Sequence, residues 1–98
     1  MNEPAGARGR VPERSGSMAW QTIDGETVLL NIDGKELMGL NEVGAHIWGL
    51  VDGARSVGQI VDAVASRFEV STDTARDDVQ TFVSELVAAG ALAWKDGS

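Results

Sequence analysis

Cysteine is absent from the 98 residues. Disulfides, thiolate metal sites and cysteine nucleophiles are thereby excluded. No apolar run approaches the roughly 18 residues of a membrane-spanning helix. The arginines near the N-terminus are not followed by the apolar core of a signal peptide. The expectation is a soluble, cytoplasmic protein that does not engage a membrane. Histidine occurs once, as His46. Catalysis would require a nucleophile or carboxylate partner for it, and a metal site would require further nitrogen or sulfur ligands. Phosphate-cradling glycine loops are also missing. Gly39, Gly44, Gly49 and Gly53 are spaced rather than clustered, and no Lys-Ser/Thr pair accompanies them. No catalytic residue, metal or cofactor is expected.

Basic residues are scarce beyond the first seventeen positions. Residues 18–98 hold five basic and thirteen acidic side chains, a net −8 within a chain of −7. Such a domain repels polyphosphate and suits a partner with basic residues, although acidity also serves solubility alone. Residues 1–17 contain both prolines and few large apolar side chains. That composition buries too little surface to offset ordering entropy, so a disordered tail is expected there. A single domain is expected over residues 18–96.

Within that domain the pattern is first extended and then helical. Asp24-Gly25 and Asp33-Gly34 punctuate β-branched and apolar runs, as hairpin turns do. Three antiparallel strands are expected near 18–23, 26–32 and 35–40. Tight turns would place Trp20, Leu29 and Met38 in one transverse row, with Ala19, Leu30 and Leu37 in a row on the opposite face. Asn41 then caps a first helix carrying Val43, Ile47, Leu50 and Val51 on one side, with Gly53 as its stop. The glycines inside it, Gly44 and Gly49, are read as sites of close helix packing. Ser56 and Gln59 form a capping box for a second helix with Val57, Ile60, Val61, Val64 and Phe68 on its apolar stripe. A third helix opens near Ser71 and runs to Ala89, with Ala75, Val79, Phe82, Val83, Leu86 and Val87 inward. Asp73, Asp77 and Asp78 suit the positive end of its dipole. Residues 91–94 form an extended tail able to pack back over the core. The fold class is α+β, a three-stranded antiparallel sheet followed by three helices, close to a winged-helix plan.

Function-bearing geometry is sought first in the third strand. Lys35, Glu36, Leu37, Met38 and Gly39 lie on the outer strand of a meander, with backbone groups unpaired on one side. A peptide adding as a fourth strand would satisfy them. A helix or a second copy of the chain covering that margin is the alternative. A helix-turn-helix regulator of nucleic acid is another, although the third helix offers Arg76 as its single basic residue.

The residues also carry a family likeness. Val28-Leu29-Leu30, Gly34 and Leu37 are followed by Leu40-Asn41-Glu42, Gly44-Ala45, Ile47-Trp48, Leu50 and Asp52-Gly53. Arg55-Ser56-Val57, Ile60-Val61, Phe68, Val70, Asp78-Val79, Phe82-Val83, Leu86 and Gly90-Ala91-Leu92 continue it. This set, over about residues 18–94, resembles the PqqD-like family. The resemblance implies a non-catalytic recognition domain that binds the leader of a ribosomally made precursor peptide and presents it to a tailoring enzyme. That enzyme is a radical S-adenosylmethionine protein, or a leader peptidase in lasso-peptide systems. It implies addition of the leader beside the third strand, in a groove walled by the third helix. The expected peptide site is therefore Lys35, Glu36, Leu37, Met38 and Gly39 with Arg76, Val79, Gln80 and Val83, on a monomer or weak dimer. Asp78, Phe82 and Glu85 lie on the opposite shoulder of the helix, and the sequence leaves open which shoulder meets the strand.

Overall fold

A computed structural model describes residues 9–16, 18–24, 26–32 and 35–95. Its elements are β1 (Pro12–Arg14), β2 (Met18–Ile23), β3 (Glu26–Asn31), β4 (Glu36–Leu40), α1 (Glu42–Leu50), α2 (Val57–Phe68), α3 (Thr72–Ala88) and β5 (Leu92–Trp94). β2, β3 and β4 form an antiparallel sheet in that order, and β1 pairs with β5 in a separate two-stranded ribbon.

The meander takes the expected register. Trp20 faces Leu29, which faces Met38, and Ala19, Leu30 and Leu37 form the adjacent row. Asp24 adopts a positive φ of 53° in the two-residue connection after Ile23, the conformation that Asp-Gly turns require. Gly25, Asp33 and Gly34 lie outside the described residues. Alternation then decides which side chains turn inward. Leu29 is completely buried under the helices, whereas Leu37, one position from Met38, is 73% exposed. The far face, with Ala19, Ile23, Val28, Leu30 and Leu37, borders an open hollow.

Helix ends follow local chemistry. The Asn41 side chain accepts from the Gly44 backbone at 2.7 Å. Ser56 and Gln59 complete a reciprocal capping box. Ser71 accepts from Thr74. Each interaction satisfies donors that a helix start leaves unpaired. The first helix ends earlier than its glycine stop suggests: Leu50 is its last residue and Val51 its extended cap, while Gly53 takes positive φ within the link to α2. The core joins Leu29, Ile47, Trp48, Val51, Ile60, Val61, Val64, Val79, Val83 and Leu86. Each fully buried aliphatic side chain contributes about 1.5–3 kcal/mol.

The expected disordered tail needs correction over residues 9–16; residues 1–8 and 17, like the expected domain end at 96, lie outside the described set. Pro12 is fully buried, at the first position of a strand, where a missing N–H is tolerated. Backbone bonds bind the segment on both sides: Val57 N–H donates to the Arg10 carbonyl at 2.9 Å, Ser15 N–H to Ala91, and Lys95 N–H to Val11. Arg10 lies 3.9 Å from the centre of the Trp94 ring. Arg14 sits over Trp20 at 4.4 Å and Trp48 at 5.2 Å, and donates to the Trp48 carbonyl at 2.8 Å. Burial lowers the pKa of the Arg14 guanidinium, with nearby Asp52 acting in the opposite sense. Composition suggested disorder because the stabilising partners are tryptophans and backbone far along the chain, not apolar residues in the segment itself.

Candidate functional site

Among the described residues β4 pairs with β3 on one side only. Glu36, Leu37, Met38 and Gly39 are all exposed along it, as is Lys35 just before it. Two hollows lie near this strand. One, about 320 Å³, is lined by Asn41, Val43, Gly44, Ile47, Asp77, Asp78, Thr81, Phe82 and Glu85. The other, about 450 Å³, is lined by Met18, Asn31, Glu36, Leu37, Met38, Ala89 and Ala91. The first adjoins the C-terminal end of β4 at Asn41, the second takes in Glu36, Leu37 and Met38, and α3 or its C-cap contributes to both; together they are called the trough.

Local sequence shapes the trough. Asn41 turns the chain from β4 into α1, so the first turn of α1 closes one end. Gly44 permits α1 to approach α3: a Cβ there would come within 3.0 Å of Phe82 Cε1, closer than such contacts normally occur. Phe82 is half-buried and lines the trough. Gly49 has no such role, since nothing lies within 4 Å of the position its Cβ would take. The expectation of close packing therefore applies to Gly44 alone.

The α3 part of the expected site needs correction. Val79 and Val83 are 0% and 2% exposed, inside the core. Gln80 lines a hollow on the other flank of α3, with Arg10, Val57, Ser84 and Trp94. Arg76 is held by Asp73 at 2.8 Å. None of the four lines the trough beside β4. The residues that do are Asp77, Asp78, Thr81, Phe82 and Glu85. The helical period identified the stripe but could not orient it, because both shoulders adjoin buried positions. A sequence signal for the open side did exist: Gly44, three residues into α1, required a large neighbour, and Phe82 was the one aromatic of α3.

Among the described residues the other margin of the sheet, β2, is also unpaired. Its flank differs. Arg14 stacks on Trp20, and Trp20 meets Trp48 edge-on with centroids 5.5 Å apart.

His46 is half-buried and meets the Phe68 ring edge-on at 5.5 Å. Among the described residues no three of His, Cys, Asp and Glu are grouped to hold a metal ion, and no helix is long and apolar enough to cross a membrane. The nucleic-acid alternative gains no support, since the one arginine of α3 is already paired with Asp73.

Comparison with known proteins agrees with this geometry. The family model described as coenzyme PQQ synthesis protein D (PqqD) matches residues 26–92. A solved structure titled TbiB1 in complex with the TbiA(beta) leader peptide is similar at 30% sequence identity. The match has a TM-score of 0.76 and covers 82% of this chain and 93% of that one. A lasso peptide synthetase B1 complexed with the leader peptide shares the fold at 22% identity and the same TM-score, over 84% of this chain and 96% of that one. No curated protein matches the sequence. A family match spanning β3 to β5, on a fold shared with those two structures, places this chain in the PqqD family.

Proposed function

We propose that this protein is a non-catalytic recognition domain that captures the leader segment of a ribosomally synthesised precursor peptide and presents it to a tailoring enzyme. The observation that carries this reading is the unpaired β4 lying beside an apolar-floored trough. A leader adding to Glu36–Leu40 would complete the backbone bonds that a sheet margin leaves open. Val43, Phe82 and Met38 offer apolar contact for side chains on its inner face, and methionine adapts to varied shapes. Two similar structures are described as leader-peptide complexes. The tailoring enzyme, a radical S-adenosylmethionine protein or a leader peptidase, supplies the chemistry. The domain raises the local concentration of the attached core peptide.

The test is a titration of 15N-labelled protein with the leader of a short precursor encoded beside its gene. Amide shifts are expected at residues 36–44 and 77–89. Absence of binding, or shifts confined to β1 and β5, overturns the reading.

A further inference from the structure

The trough has a charge that its architecture does not require. Four carboxylates line it: Glu36 from β4 and Asp77, Asp78 and Glu85 from α3. Among the described residues no lysine or arginine lines either hollow. Among the described residues, none of the four is in an ion pair; the bridges formed are Asp52–Arg55, Glu42–Arg67 and Asp73–Arg76. Helix-dipole stabilisation accounts for Asp73, which lies in the first turn of α3. It falls away beyond that turn, so the sequence expectation for Asp77 and Asp78 is corrected: the dipole does not account for them, nor for Glu85. On the opposite shoulder of α3 the lining residue with charge is Arg10. The two flanks of one helix thus have opposite polarity, and the acidic one borders the hollow that adjoins the end of β4 at Asn41.

Resting on the strand-addition reading above, we infer that the segment received by β4 is basic, with lysine or arginine at helix-facing positions and few acidic residues. A long basic side chain satisfies both surfaces of the trough. Its methylene stem lies on Val43 and Phe82, while its head reaches the carboxylates. The Phe82 ring adds a cation–π contribution. Because side chains of a strand alternate, these positions recur at every second residue. An acidic segment would place like charges together, which opposes binding and slows encounter.

The experiment is a display selection of random 12-residue peptides on the full chain, followed by amide-shift mapping of the selected peptides. Lysine and arginine are expected to be enriched at alternate positions and aspartate and glutamate depleted, with shifts at Glu36–Leu40. The double substitution Asp78→Lys with Glu85→Lys is expected to weaken a selected peptide about tenfold. Lys→Glu changes in the peptide should recover that loss. Both substituted residues are exposed, and circular dichroism checks that the fold is kept. Peptides that bind β4 with no charge bias and no response to the double substitution overturn this inference while leaving strand addition intact. Selection of no peptide that engages β4 overturns both.

Discussion

The two shoulders of α3 face different neighbours. On one, Gln80 and Ser84 look towards Arg10, Val57 and Trp94, where the β1–β5 ribbon packs across the helices. On the other, Asp78, Phe82 and Glu85 line a hollow with Asn41, Val43 and Gly44, at the end of a strand that among the described residues has no partner on its outer side. The first shoulder borders the chain's own N-terminal segment, whose Arg10 and Arg14 meet tryptophan rings. The second is left uncovered, with carboxylates around a half-buried phenylalanine. Structural contacts engage Arg10 and Arg14; on the proposed reading the acidic side selects an external strand. Stability and recognition are therefore separable, and substitutions should divide along the same line.

Removing residues 1–16 should have the largest effect. It uncovers Leu92, Val57 and Trp94 and deletes buried Pro12. Urea denaturation should show a loss of about 3 kcal/mol or more. Arg14→Ala comes next. It removes the donor to the Trp48 carbonyl and the guanidinium stacked on two tryptophans, for about 1–2 kcal/mol. Peptide affinity measured well below the unfolding midpoint should change little, since Arg14 does not line the trough. A loss of binding matching the loss of stability would erase the distinction between the shoulders.

Two glycines sharpen the comparison. Gly49→Ala adds a methyl in open space within a helix and should stabilise by about 0.5–1 kcal/mol. Gly44→Ala carries the same propensity gain but drives a Cβ against Phe82 and Asn41. Thermal denaturation should place it at least about 1 kcal/mol below Gly49→Ala. It should also weaken peptide binding, because the displaced ring moves into the trough. Equal behaviour of the two variants would mean that α1 does not set the position of Phe82.

The smallest effect concerns acid. Asp52 accepts backbone N–H bonds from Arg55 and Ala54 and pairs with the Arg55 guanidinium. The Arg55 and Ala54 backbone bonds, followed by the Arg55 charge, lower its pKa. A carboxylate depressed in the folded state contributes stability that is present above its unfolded value, about 3.9, and lost as pH falls through the folded value. Asp52→Asn should therefore flatten the stability profile slightly below about pH 4. An unchanged profile would show that the loop bonds do not persist in solution.

Much of the fold was legible because its signals are local. Asp24-Gly25 fixed the register of β2 against β3, and Ser56 with Gln59 fixed the start of α2. The alternation separated the Leu29 row from the Leu30 row but did not say which faces the helices, since both are partly apolar; the structure buries Leu29. Position 38 as a free margin followed from strand order alone. What failed to be legible depends on contacts distant in sequence. Pro12, Glu13 and Arg14 have no strand-like pattern, and their pairing with Leu92, Ala93 and Trp94 spans most of the chain. The orientation of α3 failed for a related reason. Val79 and Val83 sit so near the centre of its apolar stripe that either shoulder could adjoin β4, and the deciding contact is Gly44 against Phe82.

Hydrogen–deuterium exchange with and without a precursor leader tests the account most directly. Strand addition predicts slowed exchange of backbone amides within Glu36–Leu40, while Leu92–Trp94, already paired with β1, keeps its rate. Unchanged exchange across Glu36–Leu40 in a complex that demonstrably forms would contradict it.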